Sequence, residues 1–212
     1  MRTGIYGGSF DPVHLGHVGI ARAAIADLKL DRLVVVPAAV SPFKTESAPK
    51  DGLWQRIELV KAAFAVLPEA VVDMREVERG GVSYTIDTVR EIVAEGKPGD
   101  EFFFIVGEDA AAGLPKWKDI DELRRLCEFR TYPRTKESSS EIRRLFEENR
   151  VTLNTDEKIV AAVRTGLVRR NGYCPCRLPK TPEFFCPCDE FKAQMANPSY
   201  HGPCHCRLYL KP

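Results

Sequence analysis

The chain has 212 residues, carries 31 Lys and Arg against 30 Asp and Glu, and is 44% hydrophobic. That near-zero balance excludes a broad basic face for nucleic acid, so any anion site has to rest on particular residues. No stretch reads as a membrane span, and Arg2 leads almost at once into a glycine turn rather than a signal-peptide core, so the expectation is a cytoplasmic protein with no membrane or nucleic-acid partner.

A first short strand ends at Ile5 and Tyr6, and Gly7-Gly8-Ser9-Phe10-Asp11-Pro12-Val13-His14-Leu15-Gly16-His17 follows it. Glycines let backbone approach an anion, and a helix opening near Leu15 aims unpaired N–H groups and a positive dipole end at the same place. His14 and His17, three apart, share one helix face and can donate to phosphate oxygens. The plainer alternative is a tight turn with two ordinary polar residues at a helix start. The helix runs from Leu15 to Leu28. A strand over Leu33–Val36, apolar throughout, suits a position buried on both sheet faces, and Pro37 and Pro42 lead on to Lys44.

Farther along, Trp54–Leu67 reads as helix, Val71–Met74 as extended, Thr85–Ala94 as helix and Phe102–Val106 as a buried strand. Gly107-Glu108-Asp109 follow that last strand, with Trp117 a little beyond. An extended piece over Phe129–Tyr132 precedes Ser138-Ser139-Ser140-Glu141-Ile142-Arg143, a capped helix start with an arginine in its first turns. The βαβα alternation predicts an α/β, Rossmann-like doubly wound parallel sheet with ligands at the carboxyl ends of its strands.

Cysteine use divides the chain into expected domains of 1–150 and 151–212. Cys127 stands alone on an apolar face and reads as core. The other six form three pairs, Cys174-Pro175-Cys176, Cys186-Pro187-Cys188 and Cys204-His205-Cys206, behind a helix over Asp156–Arg169. Residues i and i+2 of an extended segment point the same way, so each pair delivers two sulfurs to one region. In a reducing compartment such a cluster reads as metal-binding or redox-active rather than as a disulfide framework. A four-ligand centre would use four thiols and leave two for a dithiol/disulfide; a zinc site on any four is the alternative.

The Gly7–His17 run resembles the signature of the HxGH nucleotidyltransferase superfamily, and within it the chain is most similar to bacterial nicotinate-nucleotide adenylyltransferases. The likeness is carried also by Val36-Pro37-Ala38 through Lys44, by Ser83-Tyr84-Thr85-Ile86-Asp87-Thr88, by Phe104 through Asp109 to Trp117, and by Ser139-Ser140-Glu141-Ile142-Arg143. The resemblance implies that the 5′-phosphate of nicotinate mononucleotide attacks the α-phosphorus of ATP, releasing pyrophosphate. The nucleophile is already an anion, so catalysis would come from positioning and charge neutralisation, with Mg²⁺ held largely by phosphate and water.

By the same resemblance His14, His17, Lys44 and Arg143 would face the phosphates, Ser9 and Ser139 would donate hydrogen bonds, and Gly7, Gly8 and Phe10 would line the turn. Thr85 and Trp117 would contact the mononucleotide, with Trp117 stacked on its ring or half-buried as core. Asp109 would touch substrate or cap a helix, while Asp11 and Asp87 read as structural and Lys44 alternatively as a surface lysine. The connector near 118–137 is shorter than the family's, which places part of the adenine pocket in question. Two other readings stand beside this one: transfer to another acceptor such as phosphopantetheine, and a non-catalytic nucleotide-binding scaffold with a zinc module.

The Cys pairs, with Gly172-Tyr173 before the first and Arg207-Leu208-Tyr209 after the last, resemble the catalytic chain of ferredoxin:thioredoxin reductase. That likeness implies a [4Fe-4S] cluster on Cys174, Cys186, Cys188 and Cys204, a redox disulfide between Cys176 and Cys206, and His205 tuning thiol protonation. Its implied partners are a ferredoxin or rubredoxin-like donor and a thioredoxin-like acceptor. His201 reads as a surface loop residue.

Overall fold

In a computed structural model, which describes residues 1–43, 53–133 and 138–212, the apolar runs become the strands of one parallel sheet. β1 (Arg2–Gly8), β2 (Arg32–Pro37), β3 (Ala70–Val72), β4 (Glu101–Gly107) and β5 (Glu128–Tyr132) lie in the order β3-β2-β1-β4-β5. Every neighbouring pair is parallel. Alternate residues of the apolar runs feed opposite faces. Val35, Phe103 and Ile105 join Tyr6, Phe10 and Phe64 in one core. Val34, Val36, Phe104 and Val106 join Ile86, Val89 and Leu123 in the other.

Between the strands run α1 (Leu15–Leu28), α2 (Leu53–Phe64), α3 (Arg75–Arg79), α4 (Thr85–Ala94), α5 (Glu108–Ala111) and α6 (Ile120–Leu126). α1 and α4 have the expected bounds. α2 ends three residues before the expected Leu67, because Pro68 disfavours helical backbone at the residue ahead of it. The expected extended piece to Met74 stops at Val72, because the Asp73 side chain accepts the Arg75 N–H (2.9 Å) and turns the chain into α3. Cys127 is buried as expected, but one residue past α6 rather than on its face; burial pushes its thiol up to about 12.

α7 (Ser139–Glu148) leads into β6 (Thr152–Leu153), α8 (Glu157–Arg169), α9 (Asp189–Ala196), β7 (Gly202–Pro203) and β8 (Tyr209–Lys211). The three short strands pair antiparallel in the order β6-β8-β7. Asp156 caps α8 through the N–H groups of Lys158 and Ile159. Around these elements Cys174, Cys188, Cys204 and Cys206 pack with Val163, Leu167, Phe191, Met195 and Leu208.

The chain beyond 150 is not hung on a linker. Phe185 is buried in the first core beside Phe64, with Tyr173 against it, and the Asn171 amide donates to the Ala62 carbonyl on α2 (3.1 Å). Leu145 and Phe146 of α7 pack on the cysteine-lined core, the Phe146 ring meeting Tyr209 edge-on at 4.8 Å. No helix among the described residues is long and apolar enough to cross a membrane.

Candidate functional site: the crevice between β1 and β4

Strand order reverses at β1 and β4, and in an open parallel sheet the crevice outside the strand ends at such a point is where ligands sit. Gly8 closes β1 there and Gly107 closes β4. A Cβ on Gly8 would stand 3.1 Å from the Phe10 ring. Phe10 itself has φ +47, a left-handed backbone that is uncommon for a bulky residue. What holds it is packing: the ring is 2% exposed and meets Tyr6, Phe64 and His17 with centroids 5.5, 5.6 and 5.0 Å away. Phe10 is therefore the floor of the turn.

α1 begins over this floor. The His14 N–H donates to His17 Nδ1 (3.2 Å), and the two rings lie 3.8 Å apart, tilted by 32°. Because Nδ1 accepts, the proton of a neutral His17 ring resides on Nε2. α7 arrives from the other side, its start capped by Ser138 Oγ, which accepts from the Glu141 N–H (3.4 Å). Ser139 Oγ donates to the Pro12 carbonyl (3.0 Å), and the Arg143 guanidinium donates to the Asp11 carbonyl and to Ser140 Oγ (3.2 Å).

Gly8, Ser9, His14, His17, Ser139 and Arg143 line a space of about 180 Å³. A cavity of about 550 Å³ adjoins it, reaching Phe43, Thr85 and Trp117. The two share Gly7, Gly8, Ser9, Gly107, Asp109 and Ser140 as a common wall. Trp117 is half-buried, edge-on to Phe104 (5.5 Å) and Phe129 (6.4 Å), so one edge is core while it also lines the cavity. Asp109 is exposed at this wall. It stands second in α5, behind the N-cap Gly107, and its Oδ1 accepts the Ala110 N–H of the first turn (3.1 Å). Asp87 pairs with Arg90 (3.5 Å) and Lys118 (3.8 Å). Lys44 lies outside the described residues.

Ser83, quoted above only as part of a motif, and Glu76 and Arg56, which the sequence did not single out, also bear on this site. Ser83 Oγ accepts the Ala39 N–H (3.0 Å), tying the β2 loop to the start of α4. Glu76 is buried and accepts from Thr88 Oγ1 (2.6 Å); burial raises its carboxyl above the usual range, with the Thr88 and Ser83 hydrogen bonds opposing. Arg56 is 3% exposed and donates to the carbonyls of Ser9 and Ala38. A signal for it exists: positions 56, 57, 60, 62, 63 and 64 are the buried ones described on α2, so a charge falls where the spacing asks for an apolar residue.

The cysteine cluster is the second concentration of chemistry. Cys174, Cys188, Cys204 and Cys206 are buried, Cys186 is half-buried, and Cys176 is exposed, as is His205. Cys204 and Cys206 Sγ atoms lie 3.5 Å apart, and the Tyr209 N–H donates to Cys204 Sγ (3.3 Å). Hydrogen bonding from Cys206 pulls Cys174 and Cys204 down to about 6, and Cys206 is correspondingly raised. Burial instead pushes Cys186 and Cys188 up, so the soft sulfurs suit iron or zinc in kind, but only two of the four proposed ligands are poised as thiolates. Among the described residues, however, no group of three or more His, Cys, Asp or Glu side chains is arranged to hold a metal ion, and the Cys176–Cys206 pair is not joined, all seven cysteines being free. His201 is exposed, as expected.

The family model described as cytidylyltransferase-like matches residues 5–171. The chain is 47% identical over 129 residues to a probable nicotinate-nucleotide adenylyltransferase of Albidiferax ferrireducens, covering 59% of this chain and 62% of that one. It is 44% identical over 133 residues to one of Shouchella clausii, covering 63% and 68%. The chain thus spans about two thirds of the length of these relatives. A candidate nicotinate-nucleotide adenylyltransferase from Vibrio parahaemolyticus shares the fold at a TM-score of 0.55 and 20% identity, over 69% of this chain and 82% of that one. With its model matched from the first strand through α8, the chain belongs to the cytidylyltransferase-like family.

Proposed function

We propose that the crevice transfers the adenylyl group of ATP to nicotinate mononucleotide, giving the deamido dinucleotide and pyrophosphate. One observation carries this reading: a small space bordered by His14, His17, Ser139 and Arg143 shares a wall with a larger cavity bordered by Thr85 and Trp117. A triphosphate in the first and a mononucleotide in the second would bring an anionic nucleophile to the α-phosphorus across Ser9 and Gly107. Proximity and fixed donors then do the catalysis. The names of the relatives support the acceptor. Mg²⁺ would arrive with ATP and neutralise phosphate charge. Lys44 and Arg143 are the proposed phosphate-facing cations, with His14 and His17 as phosphate-facing donors. The test is pyrophosphate release from ATP and Mg²⁺ with nicotinate mononucleotide or phosphopantetheine as acceptor; release with the latter alone would move the assignment to the other acceptor, and release with neither would favour the scaffold reading.

For residues 151–212, the proposed second unit beside 1–150, the gathering of six thiols supports a redox or metal module, with Cys174, Cys186, Cys188 and Cys204 as ligands and Cys176 with Cys206 as the exchanging pair. A bound [4Fe-4S] cluster would supply single electrons from a ferredoxin or rubredoxin-like donor. This chain's own part is to present Cys176 at the surface, where a thioredoxin-like disulfide can reach it, while Cys206 is buried. Anaerobic purification with iron, sulfide and zinc analysis tests this: iron with acid-labile sulfide supports the cluster, and stoichiometric zinc without sulfide replaces it. Both units are proposed to work in the cytoplasm.

A further inference from the structure

Arg56 has the burial of a core residue and the chemistry of a ligand-binding one. It stands on α2 at 3% exposure. One end nitrogen donates to the Ser9 carbonyl and the other to the Ala38 carbonyl, so a single guanidinium bridges the turn after β1 and the loop after β2. The Ala38 N–H also donates to the Gly8 carbonyl (2.9 Å), joining the same two segments. Ser9 belongs to the wall shared by both cavities, and Ala38 lines the larger one. Arg56 lines neither. Its Nε is buried without a hydrogen-bond partner among the described residues.

Among the described residues no carboxylate is hydrogen-bonded to this guanidinium; Asp11, in the same turn, acts on it as a charge that raises its pKa, and burial, the larger effect, pulls it down. A buried cation bonded to neutral carbonyls is a costly arrangement, since Asp11 acts on it only at a distance and a hydrogen-bonded counter-charge is missing among the described residues. A polyanion in the adjoining space supplies the missing charge. The carbonyls of Ser9 and Asp11 are thus held from two sides, by Arg56 on α2 and by Arg143 on α7.

We propose that Arg56 is a positioning residue for adenylyl transfer: its fork sets the glycine-serine turn against the β2 loop so that the two nucleotide spaces keep one wall, and its charge favours the bound triphosphate. The proposal rests on the adenylyltransferase reading of the crevice. A substitution that keeps the charge but loses the fork therefore separates the two effects, because lysine cannot bridge two carbonyls in one plane.

The experiment compares the unaltered protein with Arg56→Lys and Arg56→Met. Calorimetry measures binding of inorganic tripolyphosphate, steady-state kinetics measure pyrophosphate release, and thermal melts show which variants are folded at the assay temperature. Arg56→Lys is expected to hold tripolyphosphate within about threefold of the unaltered protein while kcat falls on the order of tenfold to hundredfold, the effect of a misplaced wall. Arg56→Met is expected to lose about tenfold in tripolyphosphate affinity as well. A merely structural arginine would lower the melting temperature and leave kcat unchanged well below it; that result in either variant overturns the proposal. Should Arg56→Met fail to fold, Arg56→Lys alone decides through kcat. Tripolyphosphate uptake by the unaltered protein with equal uptake and kcat in both variants overturns this inference alone, whereas no uptake by the unaltered protein overturns the functional reading and this one with it.

Discussion

The crevice at β1 and β4 and the cysteine cluster are both built on short motifs, yet the fold supports them in opposite ways. The crevice rests on five parallel strands with a core on either face, and its key groups are strand ends and helix starts. Backbone hydrogen bonding fixes such positions whether or not a ligand is present. Around the cluster the strands are two or three residues long, and four of the six thiols are themselves core side chains. There the reactive groups and the packing are the same atoms, so chemistry at the sulfurs acts on stability, while chemistry in the crevice leaves its scaffold alone.

The sharpest way to break this contrast is His17→Ala. Its ring is one of three packed on Phe10 and its Nδ1 accepts the His14 N–H, so about 1 kcal/mol of stability should go, while kcat/KM for pyrophosphate release falls about a hundredfold to a thousandfold, the usual cost of removing an oriented donor to a developing charge. Unchanged kcat/KM would remove His17 from the phosphate site.

Phe185→Ala addresses the boundary itself. Phe185 lies next to Cys186 in sequence but is buried among Phe64 and its neighbours under the sheet. Truncation should cost about 3 kcal/mol, read from urea midpoints, in a single transition that shifts sheet and cluster signals together. Two separate transitions, with the sheet's unmoved, would show the halves to be energetically independent.

A smaller effect is expected at Ser83→Ala, which leaves the Ala39 N–H buried and unpaired. About 1 kcal/mol of stability should go, together with a raised KM for the acceptor, whose cavity Ser83 lines. A KM change confined to ATP would place the acceptor elsewhere.

The smallest is a pH effect. Burial raises the Glu76 carboxyl above its ordinary 4.5. Below 4.5 the carboxyl is protonated in both folded and unfolded chains, and its contribution is fully present. As pH rises from 4.5 through the raised native value the unfolded chain ionises first, and that contribution is lost. The stability difference between the unaltered protein and Glu76→Gln should therefore shift toward the glutamine variant across that window. A difference independent of pH would mean that Glu76 titrates alike in both states.

Much of the crevice was legible because its signals are local. Gly-Gly before a helix, a serine cap at Ser138 and unbroken apolar runs each report on a few consecutive residues, and α1 and α4 have the expected bounds. Arg56 was hidden because its meaning is its partners: two carbonyls 47 and 18 residues away. Phe185 was hidden by its neighbours, since a residue between cysteine pairs reads as part of the cysteine module. The thiol cluster was legible as a gathering of sulfurs, but which of them touch is set by short strands that sequence pattern hardly marks.

The sequence by itself determined the strand and helix alternation, the turn after the first strand and the pairing of cysteines, because each follows from chain stiffness, capping and the period of apolar residues. Only the tertiary structure decided that β1 and β4 stand side by side, that an α2 arginine fastens the turn, and that the two halves share a core, because those facts depend on contacts between distant residues whose closure cost is met by burial elsewhere in the molecule.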